Sequence, residues 1–300
     1  MMTSLFARVA NAALLVCLMV TLLAPASAFA QTAEGPSDAS KPEADEPPAS
    51  RIEISGELGF LDPLSHTVQF SRDGTEFDYV DEGGQDNLFQ FVRLSAEFDF
   101  RDTHKFIFLY QPLNLETDVI LRRDVSVDKL TFPEGTPMEL RYGFPFFRLG
   151  YVYDFLDGAD REFAIGAALQ LRNATIDFKS ADGELFRSNR DVGPVPLLKL
   201  RAQLPLAGKF WWGADVTGFY APVKYLNGGD SDVEGAILDA SLRVGRPVTE
   251  HIDAFFNLRY LAGGGEGTSK DDDDLGDGYN SNWLHFATVS LGFTFGAGMP

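Results

Sequence analysis

Residues 51–60 read Arg51-Ile52-Glu53-Ile54-Ser55-Gly56-Glu57-Leu58-Gly59-Phe60, an alternation without a fault. Ile52, Ile54, Leu58 and Phe60 share one face, and Glu53, Ser55, Glu57 and Gly59 share the other. Successive side chains of a strand point to opposite sides, so this stretch is read as a strand with one apolar and one polar face. The same period returns in Val92–Phe100, Phe147–Phe155, Phe163–Arg172, Leu198–Leu204, Phe210–Tyr220, Ala236–Val244, Ile252–Tyr260 and Trp283–Phe295. In His104–Leu113 it is less regular, but Phe106, Phe108 and Tyr110 share a face.

These segments make ten strands, an even number, as a closed up-and-down barrel requires. Short connections fall at 101–103, 156–161, 205–208 and 246–250, and long ones near 61–89, 114–138, 179–191, 221–232 and 262–281. Short turns on one rim and long loops on the other predict a single antiparallel transmembrane β-barrel. Eight or twelve strands stay open. Ser65–Arg72 with Glu76–Val80, and Asp118–Leu121 with Val125–Phe132, are either hairpins outside the membrane or further strands.

Period two does not say which face meets water. A sandwich or lipocalin-like barrel would bury the apolar face; an outer-membrane barrel turns it to lipid. Three features favour the second: charges of both signs in mid-strand, strands of about nine residues or more, and aromatics gathered at strand ends. Tyr151, Tyr153, Phe155, Phe210, Trp212, Tyr220, Tyr260, Trp283 and Phe295 are the expected membrane girdle.

The ends and the composition agree. Arg8, the apolar run Ala12–Leu23 and Ala-Ser-Ala or Ala-Phe-Ala at 26–30 predict a signal peptide over 1–30, cleaved after Ala28 or Ala30. Val16 before Cys17 argues against a lipoprotein site, and removal of the leader leaves no cysteine. Residues 31–50, rich in Pro, Ala, Ser and acids, are read as a disordered periplasmic linker. The barrel is expected over 51–296 and a short tail over 297–300. A net charge of −19 argues against nucleic acid. One cysteine in 300 residues leaves neither a disulfide framework nor a thiolate metal centre, and no cofactor is expected.

The closing stretch Val289-Ser290-Leu291-Gly292-Phe293-Thr294-Phe295 resembles the C-terminal signal read by the outer-membrane assembly machinery. It departs from that pattern in that Gly296-Ala297-Gly298-Met299-Pro300 follows the terminal aromatic. Residues 90–295 resemble a widespread group of uncharacterised Gram-negative outer-membrane barrels, through Phe108–Leu113, Phe147–Phe155, Val195–Leu198 and Trp283–Phe295. The resemblance implies fold and an outer-membrane location and brings no activity with it. It also implies that Val289, Leu291, Phe293 and Phe295 engage the assembly machinery. Outer-membrane lipids and lipopolysaccharide are the other expected partners.

Inside such a barrel the polar face would carry Arg93, Lys105, Arg148, Arg172, Lys199, Arg201, Arg243 and Arg259 against Glu53, Glu57, Glu97, Asp99, Asp154, Asp215, Asp239 and Asp253. The two sets are equal in number. Unpaired charges in a narrow lumen are costly, so the balance predicts cross-lumen ion pairs that hold the wall and plug the bore. The leading function is therefore a structural or interaction barrel with acidic extracellular loops. The alternative is a narrow, anion-preferring channel in which Arg148, Arg172, Lys199 and Arg201 form a strip. The excess acid falls in loops, at Asp230, Asp232 and Glu234 and at Asp271–Asp274 with Asp277, and is read as solvated repulsion rather than as a calcium loop. His285 with Ser281, near Asp239 or Asp277, is the one pair weighed as a lipid-hydrolase site, and no Gly-x-Ser-x-Gly surrounds it. The chain is read as not an enzyme.

Overall fold

The computed structural model describes residues 50–156, 158, 160–222, 233–268 and 276–299. The signal peptide, the linker up to residue 49, Asp230, Asp232 and Asp271–Asp274 lie outside the described residues, and Ser50, expected to end the linker, opens the first strand.

The strands are β1 (Ser50–Phe70), β2 (Phe77–Asp78), β3 (Phe89–Phe100), β4 (His104–Gln111), β5 (Asn114–Ile120), β6 (Val125–Val127), β7 (Leu130–Phe132), β8 (Pro137–Gly143), β9 (Phe146–Asp154), β10 (Glu162–Ser180), β11 (Phe186–Pro205), β12 (Trp211–Pro222), β13 (Glu234–Pro247), β14 (Ile252–Thr268) and β15 (Tyr279–Met299). Ten of them, β1, β3, β4 and β9–β15, pair antiparallel in a ring that closes where β1 meets both β15 and β3 and where β10 meets both β9 and β11. The fold is a closed, all-β, ten-stranded barrel. Each of the ten alternating segments read from the sequence lies in one of these strands to within two residues, Phe155, Phe210 and Pro112–Leu113 falling just outside.

Strand ends differ from the reading mostly on the long-loop rim. The expected loop 179–191 is largely strand, because β10 and β11 pair from Glu162↔Gln203 to Lys179↔Phe186. β1 continues to Phe70 and pairs with the two-residue β2. The 114–138 region is no plain loop: β5 and β8 prolong the β4–β9 hairpin, and β6–β7 caps it. Pro112 and Pro145 stand at the two joints, where a missing N–H interrupts a ladder and lets it bend. Phe144 N–H to Leu113 C=O, at 2.8 Å, holds the hairpin together through the bend. Above it, β8 pairs with β10 over Thr175–Ser180. The last strand runs to Met299, so the tail expected from 297 is mostly strand.

Two interiors result. At the short-turn end the ring encloses charged side chains. At the long-loop end it encloses an apolar core built from Val68, Phe70, Phe77, Tyr79, Leu115, Phe132, Met138, Leu140, Tyr142, Phe146, Ile176 and Phe178. The chain after β1 folds inward to make this core. Tyr79 N–H bonds the His66 carbonyl, and Asp78 Oδ1 accepts from the amides of Val80 and Asp81. Phe77 and Tyr79 then meet the Phe178 ring at centroid distances of 5.4 and 5.7 Å.

Candidate functional site

The outer wall is apolar over the short-turn half. Ile54, Leu58, Leu149, Leu169, Leu198, Leu258 and Leu291 are exposed there, each from an outward strand position. Around the short-turn rim stand Tyr153, Phe155, Phe210 and Phe295, with Tyr151 one outward position further in and bonded to His104 Nδ1 at 2.8 Å. Towards the long loops stand Tyr220, Tyr260 and Trp283. Trp212 departs from the girdle reading. It shares the outward parity but is buried, between its register partners Leu204 and Val244. Above this belt the outer face turns polar. Lys179 pairs with Glu139, and Arg141 lies 3.6 Å from Asp177.

Inward positions at the short-turn end bring most of the expected charges together across the bore. Arg148 bonds Asp239 at 2.8 Å and both its Nε and a terminal nitrogen reach Gln170 Oε1. Arg259 takes Asp239 with two bonds of 2.6 and 2.9 Å and bonds Gln111 on the far wall. Arg93 and Arg243 share Glu57 Oε1 at 2.7 and 3.4 Å, while Asn257 and Ser290 take Glu57 Oε2. Lys199 holds Asp215 at 2.6 Å, and Arg201 holds Glu97 at 2.7 Å. Nearer the rim Lys105 stands 3.2 Å from both Asp99 and Glu162. Such pairs join strands up to four places apart in the ring of ten, so they brace the ring as well as fill it.

Three expected members do other work. Glu53 pairs locally with Arg51 at 3.1 Å. Asp154 Oδ1 accepts the amides of Leu156 and Phe163 and so caps the β9–β10 turn, while its Oδ2 stays at the edge of the network, 4.0 Å from Lys105. Asp253 accepts from Trp211 Nε1 at 3.1 Å. Arg172 leaves the network altogether. It sits one inward position beyond Gln170, opposite Phe146 in register, and pairs with Asp191 on β11. The strip Arg148–Arg172–Lys199–Arg201 is therefore broken at its second member.

Sequence reasoning missed Glu162, Gln111, Gln170 and the aromatic Phe255. Glu162 has the inward parity of Ala164 and was legible, had β10 been started one residue earlier. Phe255 lies inward because Gly245 and Gly292, its register partners on both sides, leave room: a Cβ at Gly292 would collide with the Phe255 ring. Arg243 lies over that ring at 5.2 Å.

The hydrolase constellation is not assembled. His285 Nδ1 and Tyr260 Oη are 2.6 Å apart. Ser281 lies four strand residues away, about 13 Å along the chain. Asp239 points into the bore, and Asp277 accepts the amides of Arg72 and Tyr279. Outside the membrane belt, Arg123 grips Glu82 with two bonds of 2.7 Å. Those bonds hold the Glu82 carboxyl below its ordinary range.

Among the described residues no group of three or more His, Cys, Asp or Glu is placed to hold a metal ion. No protein-family model and no curated protein matches the sequence. Solved structures that it is similar to are outer-membrane proteins. The outer membrane protease OmpT from Escherichia coli has TM-score 0.48 and 11% identity over 85% of this chain and 99% of its own. Ail, the attachment invasion locus protein of Yersinia pestis, has TM-score 0.32 and 10% identity over 82% and 99%. The outer membrane protein OprG from Pseudomonas aeruginosa has TM-score 0.30 and 10% identity over 83% and 97%. At that identity no residue of those proteins maps onto this chain.

Proposed function

We propose that the protein is an integral outer-membrane β-barrel of structural or interaction type, closed to free diffusion, which acts through the surfaces beyond its long-loop rim. The apolar core carries this reading. Phe70, Phe77, Tyr79, Phe132 and Phe178 are all buried across the mouth, packed about the buried His66–Gln85 pair, and a layer so filled leaves ions no path. The charge pairs beneath it are a second obstruction. An apolar belt of about this kind needs hydrocarbon around it, which supports the outer-membrane location. Val289, Leu291 and Phe293 face outward on β15, as the proposed contact with the assembly machinery requires. Lys179 and Arg141, on the outer face above the belt, are the cations proposed to meet lipopolysaccharide phosphates, and their exposure there supports this.

The test is conductance of the signal-free protein in a planar bilayer, with a salt-gradient reversal potential, after circular dichroism has shown it folded. Silence is the expected result. Steady current would overturn the closed reading, and anion preference would favour the narrow channel instead.

A further inference from the structure

The charge network leaves a cavity of about 390 Å³ at the short-turn end of the bore. Its mouth is formed by turn residues, among them Asp160, Lys209 and Glu250, and its inner end by Arg93, Arg148, Lys199 and Arg243. The inner end is blind, because Arg148 lies against Phe146 at the edge of the apolar core, 5.4 Å from the ring centroid. Glu57 and Asp239, the carboxylates that neutralise this end, do not line the cavity, whereas their arginines Arg93, Arg243 and Arg148 do. Asp215, which holds Lys199, lines the cavity as well, so the side a solute would meet as cationic is that of Arg93, Arg148 and Arg243, whose counter-charges are set behind it.

Two of these cations are under-used. A guanidinium carries five N–H donors. Arg93 and Arg243 together hold one carboxylate oxygen of Glu57, the second bond being long at 3.4 Å. The Nε of each is buried and has no hydrogen-bond partner. Those nitrogens lie behind the cavity surface, so the donors left for a solute are the terminal ones that Arg93 and Arg243 do not give to Glu57. Planar guanidinium forks that converge on a sheltered cavity are the usual means of binding oxyanions. The mouth has the opposite sign. Asp102, Asp160, Glu250 and Asp253 line it beside Arg161 and Lys209.

We propose that this vestibule is a binding site for a small phosphate-type oxyanion, held at the blind end by Arg93 and Arg243, whose far end carries a positive charge that meets the acidic mouth. The site faces the side of the membrane to which the short turns project. It takes its ligand from that side without passing it on.

The experiment is calorimetric titration of the full chain, refolded in micelles in phosphate-free buffer, with inorganic phosphate and with O-phosphoethanolamine. Saturable binding of both is expected, tighter for phosphoethanolamine by several-fold. Arg243→Gln should weaken both at least tenfold at an unchanged melting temperature, since Glu57 keeps Arg93, Asn257 and Ser290. Arg93→Lys, which retains the charge on Glu57, should weaken binding as well. Arg190→Gln, outside the bore, should leave it alone. Absence of saturable binding by the folded protein overturns the proposal, as does binding that Arg243→Gln leaves intact or that Arg190→Gln weakens equally. Equal affinity for the two probes overturns the part assigned to the acidic mouth.

Discussion

Along the lower part of β10, Phe163, Ile165, Leu169 and Leu171 face outward and are exposed. A few residues further on, Ala174, Ile176 and Phe178 face inward and are buried, while Asn173, Thr175 and Asp177 have the outward positions. The backbone does not change step between the two parts, because the pairing with β11 runs unbroken past Arg172. What changes is the parity of the apolar residues in the chain. β1 makes the same passage differently. Apart from Leu61, which already faces inward, its apolar residues keep even numbers from Leu58 and Phe60 through Val68 and Phe70, and an irregularity between Pro63 and Ser65 turns the later ones inward. One strand shifts its sequence and the other its backbone. Both obey one requirement, that apolar surface leave water: into hydrocarbon beside the belt, into the protein above it.

The two halves should fail in different ways. The largest effect is expected below. Asp239→Leu removes the carboxylate shared by Arg148 and Arg259 and leaves two buried guanidiniums without it, which costs about 3–5 kcal/mol. Urea titration of the folded barrel in lipid measures this. A loss below about 1 kcal/mol would mean that the network is solvated and merely decorates the wall.

Phe178→Ala removes the ring on which Phe77 and Tyr79 converge, at a cost of about 3 kcal/mol or more. Because the plug is then thinned, Phe77→Ala/Phe178→Ala should also bring flickering current to a silent barrel. Conductance that stays at zero would show that the charges below suffice to close it.

The β10 inversion can be examined directly. Ile165→Arg puts a charge against hydrocarbon and should cost about 2–4 kcal/mol, whereas Thr175→Arg, ten residues along the same face, should cost almost nothing. Equal costs at the two positions would dissolve the distinction drawn between the halves. Gly292→Ala should cost about 1–3 kcal/mol through its collision with Phe255, a case of overpacking in the charged half.

The smallest effect lies in the inward-folded segment. The Glu82 carboxyl is held below its ordinary range by Arg123, so the stability that the pair lends is present above that range and lost as the pH falls through it towards the lowered value. Both partners are partly exposed, so less than about 1 kcal/mol is at stake. Limited proteolysis between residues 71 and 88 should quicken on acidification and lose that dependence in Arg123→Ala.

The ten strands were legible because each carries a local signal, one alternating segment of about nine residues bounded by turns. The ionisable inward face of each short-turn half was legible for the same reason: Glu57, Arg93, Arg148 and Asp239 sit where parity places them. Arg172 was misplaced because parity fixes a side and not a height, and Gln170 is the last inward residue of β10 below the apolar core. The core itself was hidden in what looked like loops. Tyr79, Leu115 and Phe132 occur in short pieces of chain with no sustained period, and only their convergence makes them a hydrophobic cluster.

The sequence by itself determined that ten alternating segments are strands and which residues of each share a face, since these follow from the pleat of a single chain; it left eight or twelve strands open, and only the pairing of the strands closed the ring at ten. The tertiary structure decided the rest. Arg148 finds Asp239 across ninety-one positions, and Asn257 finds Glu57 across two hundred, only once the ring has closed and set opposite walls within reach. It also decided which medium each face meets. Alternation is blind to whether the far side is lipid, water or another wall, and that depends on how high in the closed barrel the residue stands.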